Sequence, residues 1–160
     1  MNKKTKEVYH FDNVFSPDVS TEQIFDSHVK DIVHSAMGGI NQTVFAYGQT
    51  SSGKTFTMRG YTEESGLIPL SVKELFDKID GDASRSYEIS VQYVEIYNET
   101  INDLIEPSNK NLDVRESIKD GIYINKLSDN KVASMQDVME FMTKGDDLRN
   151  TAATKLNEVS

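Results

Sequence analysis

The residue types and spacings that carry chemistry are concentrated at Gly48-Gln49-Thr50-Ser51-Ser52-Gly53-Lys54-Thr55. This octapeptide fits G-x-x-x-x-G-K-[ST]. In such a loop, backbone N–H groups surround a phosphate, the lysine reaches the β and γ positions and the threonine hydroxyl meets Mg²⁺. Lys54 is therefore the expected γ-phosphate partner and Thr55 the expected Mg²⁺ ligand, with residues 49–53 as backbone donors. The implied chemistry is binding of a nucleoside triphosphate. A glycine-rich turn beside a surface lysine is the bland alternative, and the context argues against it. The loop follows the apolar run Thr43-Val44-Phe45-Ala46-Tyr47 and precedes Phe56-Thr57-Met58, so it stands at a strand-to-helix junction.

The elements that must position this loop are legible as alternating strand and helix signals. Glu7-Val8-Tyr9-His10-Phe11 alternates as a strand does. A helix follows, opened by a Ser20/Gln23 capping box, carrying Ile24, Phe25, Val29, Ile32, Val33 and Ala36 on one face, and stopped at Gly38-Gly39. The helix after Lys54 is expected to be short, because Gly60 and the polar stretch to Gly66 interrupt it before an apolar pattern resumes at Leu67. Residues 87–97 form the strongest strand signal, with Asn98 capping a helical turn through Leu104-Ile105. Residues 112–132 suggest short strands with a turn at Asp120-Gly121. Ser134 with Asp137 opens a last helix that ends near Gly145 or Leu148, its methionines serving as core. Strands and helices alternating around such a loop imply an α/β layered fold.

Composition narrows the function classes. The chain has 160 residues, 37% of them hydrophobic, enough for one domain or part of one. It contains no cysteine, which excludes disulfides and thiolate metal sites. No stretch approaches the ~20 apolar residues a bilayer span needs, so a soluble, cytoplasmic protein is expected. A net charge of −9 argues against nucleic-acid binding, which calls for clustered Lys and Arg. His10, His28 and His34 have no metal-ligand spacing.

Several segments together resemble the kinesin motor domain. Phe45-Ala46-Tyr47-Gly48-Gln49-Thr50 through Gly53-Lys54-Thr55-Phe56-Thr57-Met58 is similar to its signature. So are Tyr9-His10-Phe11-Asp12 with Val14-Phe15, Gly66-Leu67-Ile68-Pro69, and Glu95-Ile96-Tyr97-Asn98-Glu99 with Asp103-Leu104. Ala152-Ala153-Thr154 with Leu156-Asn157-Glu158 and Ser160 resembles the run into switch I, so Asn157 and Ser160 are candidate switch I residues. Tyr97-Asn98-Glu99-Thr100-Ile101 leans toward the centromere-associated class. Ile40-Asn41-Gln42 departs from the family's aromatic, Asn and Gly, which puts the turn into the loop strand in question.

The resemblance implies an α/β, kinesin-type P-loop NTPase with an incomplete central sheet and helices on both faces. It implies ATP with Mg²⁺ as ligands, Phe56 against adenine, and an ATPase that moves along microtubules of the cytoskeleton in the complete protein. Residues 1–160 then correspond to a partial motor domain without its first strand, the rest of switch I, switch II or the neck linker. On that reading the chain by itself turns over little ATP, and residues 43–47 lack ladder partners. Hydrolysis also needs an oriented water and a sensed γ-phosphate. Glu95 is expected to face solvent and Asp77 and Asp80 lie on a helical pattern, so no general base is assigned. Arg115, Lys119, Lys126 and Lys131 fall where a kinesin loop meets tubulin, but scattered solvated charges are the stronger reading, since the chain is acidic and tubulin is acidic too. The alternatives are a non-catalytic nucleotide-binding or interaction module and an unrelated P-loop kinase or GTPase.

Overall fold

In the computed structural model of the chain, residues 8–119 and 121–157 are described. They fall into two compact units, Met1–Ser71 and Val72–Ser160.

The first unit opens with a helical run made of α1 (Thr21–Ile24), a π-helical turn (Phe25–Val29) and α2 (Lys30–Met37). The capping box forms as the sequence implies. Ser20 Oγ accepts the Gln23 N–H at 3.2 Å and Gln23 Oε1 accepts the Ser20 N–H at 2.9 Å. Phe25 and Val29 are buried and pack with Leu67, and Val33, Met58 and Leu70 close the cluster. The run ends at Gly38 and Gly39, the latter at φ +92°, where the chain turns out of the helix at no side-chain cost. After the loop come α3 (Lys54–Arg59), a two-stranded hairpin of β1 (Gly60–Tyr61) and β2 (Glu64–Ser65), and α4 (Leu67–Asp80), which crosses the division at Ser71. The short post-loop helix and its interruption are as expected.

Residues 8–11 and 43–47 differ from the strand expectation, since neither segment joins a ladder among the described residues. Val8, Tyr9, Phe11, Phe45 and Tyr47 are exposed, Tyr47 almost completely at 94%. A strand exists through its partners, and β propensity alone supplies none.

In the second unit, residues 87–97 divide into β3 (Ile89–Val91) and β4 (Val94–Tyr97). These pair antiparallel with different partners, β3 with β8 (Asn130–Val132) and β4 with β5 (Thr100–Asp103). Asn98 does not cap a helical turn. With Glu99 it forms a two-residue hairpin loop, both residues at positive φ (+48° and +61°), which matches the twist of the flanking strands. Glu95, expected in solvent, is half-buried opposite Asn102, and Ile96 is 67% exposed instead. β6 (Val114–Ser117) and β7 (Gly121–Ile124) form a further hairpin, with Gly121 at φ +67°; Asp120 lies outside the described residues.

The last helix, α5 (Met135–Asn157), runs well past Gly145. Its start is capped as read: Ser134 Oγ accepts the Asp137 N–H at 3.2 Å, and Asp137 Oδ2 accepts the Ser134 and Ala133 N–H groups at 3.0 and 2.8 Å. Gly145 is a contact surface rather than a stop. A Cβ there would lie 2.4 Å from Tyr93 Cδ1 and 3.1 Å from Leu104 Cβ. Tyr93 Oη donates to Asp146 Oδ1 at 2.7 Å, which holds the ring in that place. Val138 and Met142 are buried, so the methionine of this stripe fills core.

Asp103 organises the irregular backbone around this hairpin. The residue is 3% exposed. Its Oδ1 accepts the Ile105 and Glu106 N–H groups at 2.8 and 3.0 Å, and its Oδ2 accepts the Ser128 N–H at 2.8 Å. Burial alone raises its pKa. The donors at Glu106, Ser128 and Ile105 outweigh that, and the carboxyl titrates below its ordinary range.

Asp103→Ala strands three backbone N–H groups, and at about 1–3 kcal/mol for each unsatisfied group the expected loss is at least about 2 kcal/mol in urea unfolding. Because the folded pKa lies below the unfolded value of about 3.9, the carboxylate's stabilisation is complete above roughly pH 4 and disappears as pH falls through the folded value. Asp103→Asn should therefore show a shallower acid decline than wild type, and an identical pH profile would refute the assignment. Gly145→Ala should lower the thermal midpoint by the equivalent of about 1–3 kcal/mol of overpacking, although alanine is the better helix former by roughly 1 kcal/mol; a raised midpoint would show that Tyr93 yields freely.

Candidate nucleotide-binding site

The loop at residues 48–53 is built by backbone geometry that its sequence permits. Gly53 is the N-cap of α3 at φ +92°, a left-handed conformation open to glycine at little cost, and Ser51 also has positive φ, +63°. A Cβ at Gly48 would lie 2.4 Å from Ser52 Oγ, a contact that rotation of the serine side chain would have to relieve. The Ser52 N–H donates to Gln49 O at 3.3 Å, which closes the loop on itself.

Lys54 begins α3, and a side chain at that position projects back toward the helix N-terminus. Its ammonium accordingly reaches across the loop and donates to Gly48 O at 2.8 Å and Gln49 O at 2.7 Å. A positive charge is thereby fixed over the glycine- and serine-rich backbone. An ammonium has three donors, and these two carbonyls take two of them. Thr55 is exposed directly beside it. The first N–H groups of α3 have no acceptor within the helix, as at any helix start. The donor set thus fits a triphosphate with Mg²⁺, with Lys54 over the phosphates and the Thr55 hydroxyl available to the cation.

Among the described residues, no group of three His, Cys, Asp or Glu side chains could hold a metal ion. The Mg²⁺ expected at Thr55 does not require one, because phosphate oxygens and waters supply most of its ligands. The acids with displaced pKa values are engaged in local structure. Asp82 is held down to about 2 by the Ser84 hydroxyl and then the Tyr87 phenol, and Asp137 is lowered by the Ala133 N–H that it caps. Asp77 pairs with Lys73 one helical turn away. No general base is assigned among these residues.

Phe56 is half-buried, and its ring meets that of Tyr61 at a centroid distance of 5.7 Å and a tilt of 40°. Tyr61 was hidden from sequence reasoning inside a polar stretch; its one signal was an aromatic directly after Gly60. Asn157 is the last residue of α5, and Ser160 lies outside the described residues. Arg115 and Lys131 pair with Asp113 and Glu88 at 3.6 and 2.9 Å, in keeping with solvated charges. Among the described residues no helix is long and apolar enough to cross a membrane.

Comparison with known proteins agrees with this geometry. The family profile of the kinesin motor domain matches residues 1–160. The chain is 46% identical over 149 residues to the kinesin-like protein KIN-7O of Arabidopsis thaliana, a match that covers 93% of the chain and 12% of the relative. It is 43% identical over 152 residues to the kinesin-like protein KIN-7I of Oryza sativa subsp. japonica, covering 95% of the chain and again 12% of the relative. Neither name supports the centromere-associated class. A solved structure described as that of a fast kinesin, with implications for ATPase mechanism and interactions with microtubules, superposes with a TM-score of 0.91 at 39% identity. That superposition covers 97% of this chain and 45% of the solved one. With its loop geometry, its full-length profile match and this structural likeness, the chain belongs to the kinesin motor domain family.

Proposed function

We propose that this chain is the ATP-binding part of a microtubule motor, residues 1–160 forming one portion of a motor domain. The observation that carries the reading is the Lys54 ammonium held over the Gly48 and Gln49 carbonyls at the entrance to α3. Kinesin motor domains bind nucleotide with Mg²⁺, and the likeness to a structure discussed in terms of ATPase mechanism and microtubules supports ATP as the nucleotide and tubulin as the track. A cytoskeletal location in the cytoplasm goes with that partner.

The roles divide among few residues. Gly48 and Gly53 let the backbone approach the phosphates closely, and residues 49–53 supply N–H donors. Lys54 transfers its hydrogen bonds from the loop carbonyls to phosphate oxygens, a charge-assisted exchange that favours the anion. Thr55 offers a hydroxyl to Mg²⁺, which when bound neutralises charge developing on the β and γ phosphates. Phe56 places an aromatic face toward the base. Asn157 and Ser160 are retained as switch I candidates.

A second reading, a nucleotide-binding module without turnover, is favoured by one observation. The acids with displaced pKa values are engaged in capping and turns.

The site reading is tested by labelled-ATP binding in the presence of Mg²⁺. Lys54→Ala should weaken affinity at least about tenfold, the order of one or two lost charge-assisted hydrogen bonds. Thr55→Ala should reduce the dependence of binding on Mg²⁺. Unchanged affinity in both variants would place the nucleotide elsewhere.

A further inference from the structure

The hairpin between α3 and α4 is fixed more firmly than its length suggests. Gly60 has φ +77°, and a Cβ there would lie 2.1 Å from Glu64 O and 2.4 Å from Gly66 N. A Cβ at Gly66 would in turn lie 2.4 Å from both Arg59 C and Gly60 N. The two glycines therefore press the ends of the hairpin together, and no other residue type fits either position without displacing backbone.

Within that clamp, Tyr61 pairs with Glu64 in register. Glu64 Oε1 accepts the N–H of Thr21 at 3.1 Å, at the first residue of α1, where Thr21 is only 4% exposed. A carboxylate at a helix start is favourable, because the helix presents unpaired N–H groups there. The hairpin is thus fixed to the α1 helical run. What it presents is the Tyr61 ring, 71% exposed, tilted against Phe56 two residues beyond Lys54.

A large aromatic side chain held in solvent by a glycine clamp and a carboxylate strut does little for the core. It does offer an exposed π face against Phe56, on the helix that follows the phosphate loop. We infer that Tyr61 is a base-recognition residue that stacks on the planar base of the bound nucleotide together with Phe56, and that Glu64 is the positioning residue that aims it. This inference rests on the nucleotide reading of the Lys54 loop and adds the recognition of the base.

The test compares equilibrium binding of Mg·ATP with that of Mg·tripolyphosphate, which has the phosphates without a base, in the full-length protein. Tyr61→Ala should weaken ATP about tenfold, the scale of one base–aromatic stack, and leave tripolyphosphate within about twofold. Tyr61→Leu, which keeps most of the volume without the π face, should behave as Tyr61→Ala does, and Tyr61→Phe should bind as wild type. Glu64→Ala should show the same selective loss, with Glu64→Gln restoring ATP affinity because an amide oxygen still accepts the Thr21 N–H. Equal weakening of both ligands, or unchanged ATP affinity in Tyr61→Ala and Tyr61→Leu, would overturn the proposal. Lys54→Ala serves as the separate control and should weaken both ligands. If it weakens neither, the nucleotide reading itself fails, and the Tyr61 proposal falls with it.

Discussion

The ammonium of Lys54, donating to the carbonyls of Gly48 and Gln49, is the contact from which the site is organised. It closes a loop with little regular hydrogen bonding of its own, and it places a charge where an arriving phosphate would need one. The backbone makes this possible. Gly53 turns the chain into α3 from the left-handed region, and Gly48 leaves room for the Ser52 side chain.

The second unit applies the same physics to structure rather than to a ligand. Asp103 gathers backbone N–H groups from residues 105, 106 and 128 around one buried carboxylate. The two-residue turn at Asn98-Glu99 and the contact of Gly145 with Tyr93 set the strands and α5 around it. In both units, then, a charged side chain satisfies irregular backbone that neither helix nor sheet can. A buried charge is costly without partners, and multiple donors offset that cost. At Asp103 burial pushes the pKa up and the backbone donors pull it down further, so it lies below the ordinary carboxylate range.

Family membership constrains the functional reading in proportion to the length matched. The chain spans 12% of two plant kinesin-like relatives, so their whole-protein properties do not transfer as findings. The family match is local in kind: it takes in the loop at residues 48–55 and the short helix α3. The structure adds a clamped hairpin whose exposed Tyr61 meets Phe56 of α3.

The sequence by itself determined what depends on residue type at fixed local spacing. The loop with Lys54 and Thr55, the Ser20/Gln23 and Ser134/Asp137 caps, the stop at Gly38-Gly39 and the short helix before Gly60 all involve partners a few residues apart, so a linear reading sees both ends. Tertiary structure decided whatever depends on a distant partner. Residues 8–11 and 43–47 have strand composition but no ladder among the described residues, because pairing belongs to two segments and not to one. Residues 87–97 divided between β8 and β5 for the same reason. Gly145 read as a stop because glycine ends helices, yet the Tyr93 ring, far away in sequence, makes its missing Cβ a packing requirement. Glu64 meets the start of α1, 43 residues away in sequence, only through folding, a contact that no local spacing encodes.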